Sequence, residues 1–232
     1  MLYYRWKKSD ICMAISKGWK WEVLEKDDEY WNTPDFMMHY LNYRWKNNSF
    51  ETFLDVGCGM GRHCLYMAEN GFNVYGIDSS KYVIDVVKEK AFLKGLDVKV
   101  CTGNIASLPY ENNSIDCIAA IGVLSNNDKL GISAILKEMH RVLKNGGETY
   151  FNIISKISDM GNNEELVNGN VFYSINEDDF EWLFKDFNII SIKHVNELYN
   201  SVEMSGYCVL LKKVNKNSSF DDEKLKDSAY LF

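Results

Sequence analysis

The residues with the clearest chemical potential form a glycine-rich segment, Asp55-Val-Gly-Cys-Gly-Met-Gly61, which follows a short apolar run. Gly57 and Gly59 lack a Cβ, so the backbone here can adopt positive φ and approach a ligand closely. A helical pattern follows, and the first turn of a helix offers N–H groups that have no partner within the helix. We expect the backbone N–H of Cys58 to face the same ligand. The segment therefore predicts a site for a small polar or charged molecule.

Two acidic residues flank this glycine turn. Asp78 ends the next predicted strand, where a carboxylate can accept hydrogen bonds from both hydroxyls of a ribose. A simple helix cap is the alternative role for Asp78, although Ser79 or Ser80 can also fill it. Asp55, before the turn, suits the amino group of a ligand, either directly or through a water molecule. The two carboxylates together predict a nucleoside that also carries an amino group.

A dinucleotide site is the main competing interpretation of this turn. Such sites use Gly-x-Gly-x-x-Gly, in which the third glycine lies where strand and helix cross. Counting from Gly57, that place is occupied by Arg62, and Gly61 is predicted to serve helix packing instead. The spacing thus disfavours an oxidoreductase of the NAD type but leaves it open as an alternative.

The composition limits the classes of partner. The chain has 232 residues, of which 46% are hydrophobic, and its formal net charge is −7. Phosphate binding requires a clustered basic surface, so nucleic acid is not expected as a partner. No apolar run approaches the roughly 20 residues that span a bilayer. We expect a cytoplasmic protein with no membrane partner, and no spacing of His, Cys, Asp and Glu predicts a metal site.

Short apolar runs alternate with helical patterns in the part of the chain that must position these residues. Strands are predicted at 52–56, 73–77, 98–102, 115–121 and 148–154, and helices at 62–70, 81–94 and from 132 to a cap at 145–147. This alternation predicts a doubly wound α/β fold with a mostly parallel sheet. Residues 188–195 and 207–213 are predicted to add an antiparallel hairpin, which makes seven strands, and residues 156–171 are predicted to form a loop.

The first 50 residues differ from the rest in their aromatic content. Five of the six tryptophans of the chain lie there, and Thr33-Pro34 predicts the start of a helix. We expect residues 1–50 to form a helical cap, residues 51–214 the ligand-binding domain and residues 215–232 a charged tail. Within the cap, a lid over the ligand is predicted from four aromatic residues: Trp19, Trp21, Tyr30 and Trp31.

Five segments, in the same order along the chain, resemble the motifs of class I S-adenosylmethionine-dependent methyltransferases. They are Phe53-Leu-Asp-Val-Gly-Cys-Gly-Met-Gly-Arg-His63, Val74-Tyr-Gly-Ile-Asp-Ser79, Gly103-Asn-Ile105, Leu108-Pro-Tyr-Glu-Asn-Asn-Ser-Ile-Asp116 and Arg141-Val-Leu-Lys-Asn-Gly-Gly147. The resemblance implies a Rossmann-like methyltransferase fold, S-adenosylmethionine as cofactor and S-adenosylhomocysteine as product. The chain is similar in character to the small-molecule methyltransferases of the tellurite-resistance and thiopurine type.

The resemblance also implies roles for individual residues. Asp55, Gly57 and Gly59 would hold the methionine part of the cofactor, and Cys58 and Gly61 belong to the same turn. Asp78, followed by Ser79, would hold the ribose. Asn104, which replaces the more common Asp, and Ile105 would flank the adenine, and Ile121 would lie near the methyl group. Catalytic residues stay unassigned, because Ser125-Asn126-Asn127 replaces a histidine pair that many relatives carry.

The acceptor of the methyl group is not identified by these motifs. A small molecule is expected, and the protein is expected to act as a monomer or homodimer. A module that binds S-adenosylmethionine without catalysis remains an alternative, because one fold hosts many functions.

Overall fold

A seven-stranded sheet with helices on both faces forms the core of this protein. The computed structural model describes Trp21 and residues 29–157, 164–167, 170–199 and 202–214. The helices are α1 (Glu29–Asn32), α2 (Phe36–Asn47), α3 (Arg62–Glu69), α4 (Lys81–Lys94), α5 (Lys129–Val142) and α6 (Phe180–Phe184). The strands are β1 (Thr52–Val56), β2 (Asn73–Asp78), β3 (Val98–Thr102), β4 (Ile115–Ala120), β5 (Leu143–Ile157), β6 (Glu164–Val167), β7 (Asn170–Tyr173), β8 (Phe187–Tyr199) and β9 (Val202–Lys213).

The strand order of the large sheet is β3-β2-β1-β4-β5-β9-β8. Strands β1 to β5 are parallel, whereas β9 pairs antiparallel with both β5 and β8. The predicted doubly wound α/β fold with an antiparallel hairpin at its edge is therefore confirmed. From β1 the chain adds β2 and β3 on one side, and it then adds β4 and β5 on the other side, so the strand order reverses between β1 and β4. In open α/β sheets, ligands bind at such a switch point, beyond the carboxyl ends of the strands.

Residues alternate between the two faces of each strand and thereby build two apolar layers. On β1, Leu54 and Val56 pack with the apolar side of α5, including Ile132 and Met139. Phe53, from the same strand, belongs to the opposite layer, which also receives residues from α2, α3 and α4. The helices thus hold β1 from both faces and fix the position of the glycine turn at its end.

The second layer includes α2, which is also tied to the sheet by a buried carboxylate. Glu148 of β5 is fully buried and accepts hydrogen bonds of 2.8 Å from both Nε and Nη2 of Arg44. The indole Nε1 of Trp45 donates to the same carboxylate at 3.0 Å. The hydrogen bond and the charge of Glu148 raise the pKa of Arg44 above its usual value, although burial opposes the rise. Helix α2 is therefore part of the folded core.

Three predicted boundaries were wrong. Helix α5 ends at Val142 and β5 begins at Leu143, so Asn145-Gly146-Gly147 lies inside a strand and does not cap a helix. The reason is that an apolar Leu143 would be buried in a helix or in a strand alike, so hydrophobic periodicity could not show where the helix ends and the strand begins. Leu143 adopts φ −61° and ψ 137° and pairs with Ile115 of β4. Sheet pairing, a contact distant in sequence, decides the boundary.

The other two errors concern polar segments. Residues 156–171 were predicted to form a loop, but β6 and β7 pair there as an antiparallel two-stranded sheet. The predicted helix start at Thr33-Pro34 is also misplaced, because α2 begins at Phe36. Its cap is Asp35, whose Oδ1 accepts from the N–H of Met37 at 2.9 Å. The predicted tail, residues 215–232, lies outside the described residues.

Candidate functional site

The glycine turn lies between the carboxyl end of β1 and α3, beside the end of β2. All three of its glycines have positive φ: 72° at Gly57, 51° at Gly59 and 85° at Gly61. The N–H groups of Gly57 and Cys58 both donate to the carbonyl of Ile77, at 2.8 and 3.0 Å. The expectation that the Cys58 N–H faces a ligand is therefore wrong, because β2 already uses that donor. The turn offers a ligand its shape and its acidic neighbours.

A direct hydrogen bond joins this turn to Asp78. The N–H of Gly59 donates to Oδ2 of Asp78 at 3.0 Å, and the N–H of Ser80 donates to Oδ1 at 2.9 Å. Burial raises the pKa of Asp78 above its ordinary value, although these backbone donors oppose the rise. An ionised carboxylate can accept about four hydrogen bonds, so Asp78 retains capacity for further donors. Ser79, beside it, is exposed.

Asp55 lies beneath the turn and is only 1% exposed. The Cys64 thiol donates to its Oδ2 at 3.5 Å, and Nδ1 of His63 lies 3.7 Å from the same oxygen. The burial of His63 beside Asp55 was not predicted from the sequence. His63 and Cys64 belong to the buried side of α3 together with Met67, and this spacing was the available signal.

The two cysteines of this region remain protonated thiols. The hydrogen bond with Cys58, burial and the charge of Asp55 raise the pKa of Cys64 well above its ordinary value. For Cys58, the hydrogen bond with Cys64 lowers the pKa, but burial and the charges of Asp55 and Asp78 raise it more. Since the thiolate is the nucleophilic form, neither group is activated as a nucleophile.

The remaining residues predicted for the site follow β3 and β4. Asn104 is exposed, and its Oδ1 accepts from the N–H of Ala106 at 2.9 Å. Ile105 is half-buried and packs against the layer that contains α5, whereas Ile121 packs against the opposite layer. Sequence reasoning did not single out Asn152 of β5, whose Oδ1 accepts from the N–H of Gly122 at 2.7 Å.

The segment Ser125-Asn126-Asn127 shapes the loop that follows β4. The hydroxyl of Ser125 accepts from the N–H of Ile154 at 2.8 Å. The side-chain NH₂ groups of Asn126 and Asn127 donate to backbone carbonyls within the same loop, including that of Val123. The side chain of Val123 in turn lies over Gly57, where an added Cβ would come within 2.5 Å of it.

Two of the four aromatic residues predicted to form a lid lie near the turn. Trp21 is 8% exposed, and an added Cβ on Gly59 would lie 2.8 Å from its ring. The rings of Trp21 and Trp31 meet edge to face with centroids 5.1 Å apart. Tyr30 belongs to α1, and Trp19 lies outside the described residues. The missing Cβ of Gly59 thus makes room for an aromatic cover.

Two kinds of feature are absent from the described part of the chain. No helix in it is long and apolar enough to cross a membrane. Within the same ranges, no three His, Cys, Asp or Glu side chains gather as the ligands of a metal ion would.

Comparison with known proteins gives consistent results. Residues 54–151 match the family model described as a methyltransferase domain. The chain is 38% identical over 102 residues to a demethylmenaquinone methyltransferase of Geobacillus kaustophilus, a match that covers 41% of this chain and 42% of that protein.

Solved structures share the fold at lower identity. An S-adenosylmethionine-dependent methyltransferase from Methanosarcina mazei superposes with a TM-score of 0.63 at 21% identity, covering 71% of this chain and 93% of that one. A 1,6-didemethyltoxoflavin-N1-methyltransferase from Burkholderia thailandensis, solved with S-adenosylhomocysteine, gives a TM-score of 0.60 at 16% identity, covering 81% and 82%.

The matches to curated relatives cover only part of each relative. The chain spans between 29% and 58% of the length of the curated relatives it matches. The matched domain nevertheless contains the glycine turn, Asp78 and β4, and the fold of the whole sheet agrees with it. Residues 54–151 are thus similar to a methyltransferase domain, and the sheet has the fold of solved S-adenosylmethionine-dependent methyltransferases.

Proposed function

We propose that this protein binds S-adenosylmethionine at the carboxyl edge of β1 and β2 and transfers its methyl group to a small-molecule acceptor. The observation that carries the proposal is the hydrogen bond from the Gly59 N–H to Oδ2 of Asp78, 3.0 Å long. It couples the glycine turn to a carboxylate that has room for further donors. Asp55, buried beneath the same turn, supplies a second negative charge for a cofactor that carries an ammonium group.

The residues fit the polar parts of this cofactor as follows. Asp78 accepts hydrogen bonds from the two ribose hydroxyls through its remaining lone pairs, and Ser79 lies at the rim of the same site. Asp55 attracts the amino group of the methionine part. Gly57, Cys58 and Gly59 form the wall behind that part, and Gly61 positions α3. The two carboxylates hold opposite ends of one ligand and so fix its direction along the edge of the sheet.

The apolar parts of the cofactor meet the ends of β3 and β4. Asn104 has its carbonyl oxygen occupied by Ala106, so its NH₂ group is the one directed to the adenine. Ile105 packs beside the base, and Ile121 forms an apolar wall near the methyl group. A methyl sulfonium is already an activated electrophile, so the work of the protein is to align the acceptor and exclude water. Catalysis by these residues is positional, and no general base is assigned.

The acceptor is proposed to be a small molecule that the aromatic cover encloses. The names of the Geobacillus and Burkholderia relatives describe enzymes of small molecules, and the net charge of −7 disfavours nucleic acid. In this proposal residues 1–50 form a cap that α2 anchors to the core of the methyltransferase domain, residues 51–214, and residues 215–232 form a tail. Trp21 supports the lid because it lies over Gly59, Trp31 packs edge to face against Trp21, and an aromatic face there attracts the sulfonium. A cytoplasmic monomer or homodimer is the proposed state.

The decisive experiment is calorimetric titration of the unsubstituted protein and Asp78→Ala with S-adenosylhomocysteine. We expect at least about a tenfold loss of affinity in Asp78→Ala, because the carboxylate accepts two hydroxyl hydrogen bonds. The matched control is Asp97→Ala, at an exposed aspartate before β3, which should bind as the unsubstituted protein does. Equal affinity of Asp78→Ala and the control would remove Asp78 from the site.

Two further measurements separate the competing functions. A fluorescence titration with NADH should show no binding, and saturable binding of NADH without S-adenosylhomocysteine would favour an oxidoreductase. Release of homocysteine in a coupled assay over a panel of small-molecule acceptors should identify turnover. Tight S-adenosylhomocysteine binding with no turnover on any acceptor would favour the non-catalytic module.

A further inference from the structure

His63 is a buried polar side chain that connects the amino end of α2 to Asp55. It lies in the first turn of α3 and is 4% exposed. Its Nε2 accepts a hydrogen bond from the backbone N–H of Asp35 at 3.3 Å, and its Nδ1 lies 3.7 Å from Oδ2 of Asp55. The imidazole thus spans from a helix of the N-terminal region to the acidic residue of the glycine turn.

The hydrogen bond to Asp35 determines which ring nitrogen carries the proton. A backbone N–H can only donate, so Nε2 of His63 must be the bare, accepting nitrogen. A neutral imidazole then carries its proton on Nδ1, which is the nitrogen that faces Asp55. The ring therefore presents an N–H to the carboxylate, and the amide of Asp35 is the group that sets this tautomer.

The amide of Asp35 is itself held in place by two features of α2. The Asp35 side chain caps the helix through the N–H of Met37, at 2.9 Å. Further along α2, Arg44 and Trp45 donate to the buried carboxylate of Glu148 on β5. The position of the Asp35 N–H therefore depends on the docking of the whole helix against the sheet.

A role as apolar filling does not account for these contacts. A hydrocarbon side chain of the same volume would leave Asp55, among the side chains that the structure describes, with only the weak thiol donor of Cys64 at 3.5 Å. A buried carboxylate with too few donors is costly and is free to rotate. The Nδ1–H of His63, 3.7 Å from Oδ2 of Asp55, is too far for a hydrogen bond but attracts that oxygen electrostatically, and it limits the rotation much as second-layer contacts orient the ligands of other sites.

We infer that His63 is a positioning residue for cofactor binding, which holds Asp55 in the orientation that receives the amino group and makes this orientation depend on the docking of α2. The inference rests on the proposed function, in which Asp55 attracts that group. Because coupling between two sites is reciprocal, cofactor binding should also strengthen the docking of α2. His63 acts through Asp55 and touches neither the methyl group nor the acceptor.

Two conservative variants separate the two nitrogens of the ring. In His63→Asn, the side-chain NH₂ group stands near the place of Nδ1 and keeps a donor for Asp55 but loses the acceptor for Asp35. In His63→Gln, the longer side chain places its carbonyl near the position of Nε2 and keeps the acceptor but not the donor. We expect both variants to lose some stability, whereas only His63→Gln loses about tenfold or more in S-adenosylhomocysteine affinity.

The S-adenosylhomocysteine affinities of the two variants test whether His63 positions Asp55. Equal S-adenosylhomocysteine affinity of His63→Gln and the unsubstituted protein, or equal weakening in both variants, would overturn the positioning role. A failure of the unsubstituted protein to bind S-adenosylhomocysteine would overturn the proposed function and this inference together. The first two results leave the proposed function intact, so the two failures are distinguishable.

A spectroscopic measurement tests the same inference without any substitution. In the full-length protein labelled with ¹⁵N-histidine, the imidazole signals of His63 should report a protonated Nδ1 and a bare Nε2. Addition of S-adenosylhomocysteine should shift the Nδ1 signal, since Asp55 gains a new partner. A ring protonated on Nε2, or a ring signal that S-adenosylhomocysteine leaves unmoved while binding occurs, would contradict the inference.

Discussion

The two edges of the parallel sheet treat their acidic side chains differently. Toward the amino ends of the strands, Asp116 accepts from the Thr52 N–H and hydroxyl at 2.9 and 2.7 Å and forms an ion pair of 2.9 Å with Lys144. Glu148 accepts from Arg44 and Trp45 on the same half of the sheet. At the carboxyl edge, Asp55 and Asp78 receive no hydrogen bond or ion pair from Lys or Arg among the contacts of the described residues.

The pKa values follow this difference. Although burial raises it, hydrogen bonds from Lys144 and Thr52 hold the pKa of Asp116 below its ordinary value. Burial is the main influence at Asp78, and its pKa lies above the ordinary value. One edge therefore uses its carboxylates to stabilise the fold, whereas the other keeps two buried carboxylates without a Lys or Arg partner among the described residues, at the place where we propose that the ligand binds. Such an arrangement gives up stability in favour of binding.

Substitution at the stabilising edge should have the largest effect on folding. Glu148→Gln removes the carboxylate charge that accepts hydrogen bonds from Arg44 and Trp45. Breaking a buried ion pair costs about 3 kcal/mol of unfolding free energy. Denaturant titration measures this loss. The folded variant should lose less S-adenosylhomocysteine affinity than Asp78→Ala, because Glu148 is outside the proposed site and reaches Asp55 only through the docking of α2. A loss of affinity without a loss of stability would contradict the division between the two edges.

An intermediate effect is expected at the glycine turn. Gly59→Ala places a Cβ 2.8 Å from the Trp21 ring at φ 51°, so it should cost about 2 kcal/mol of stability through strain and displacement. The affinity for S-adenosylhomocysteine, measured by calorimetry, should fall as well. Gly71→Ala is the matched control, because Gly71 has φ 83° but nothing lies within 4 Å of the added Cβ.

Comparison of these two alanine variants separates backbone strain from contact. Gly71→Ala should lose about 1 kcal/mol of stability through the left-handed conformation alone and retain full affinity. If the two variants lost the same stability and neither lost affinity, the packing of Trp21 over the turn would have no part in binding.

The smallest effect should be a pH dependence at Asp78. Because its folded pKa is raised, the contribution of this carboxyl to stability is present below the ordinary value of 3.8 and is lost as the pH rises through the folded pKa. The stability of the unsubstituted protein relative to Asp78→Asn should therefore decrease as the pH rises above 3.8. Thermal unfolding across this range measures the difference. A relative stability that rises with pH would indicate a favourable charge partner at Asp78.

Local patterns predicted most of the elements that carry the site. Alternation of apolar runs and helical patterns located β1, α3, β2 and α4, because each is amphipathic or buried in a way that its own residues encode. The same reasoning failed at Leu143, which is buried in a helix or in a strand alike. It also overlooked β6 and β7, although Leu166-Val167 and Val171-Phe172 flank Asn168-Gly169, a residue pair typical of a two-residue hairpin turn.

The candidate site likewise has features that the sequence predicted and features that it did not. The types and spacing of Asp55, the glycines and Asp78 predicted a nucleoside that carries an amino group, and the resemblance to known motifs implied S-adenosylmethionine. These residues carry the chemistry in their own side chains or in their lack of one. The use of the Cys58 N–H by Ile77 was not predictable, because it depends on how closely β2 lies beside the turn. The positions of Trp21 and Asn152 likewise depend on packing between segments distant in sequence.

The sequence by itself thus determined the fold class, the place of the glycine turn and the two acidic residues beside it. Only the tertiary structure decided that His63 is buried between Asp35 and Asp55, and that the turn is covered by Trp21 and Val123. The physical reason is the range of the interactions. Propensity, periodicity and the absence of a Cβ act within a few residues, whereas burial, the tautomer of a histidine and the partner of a buried charge are set by groups that folding brings together.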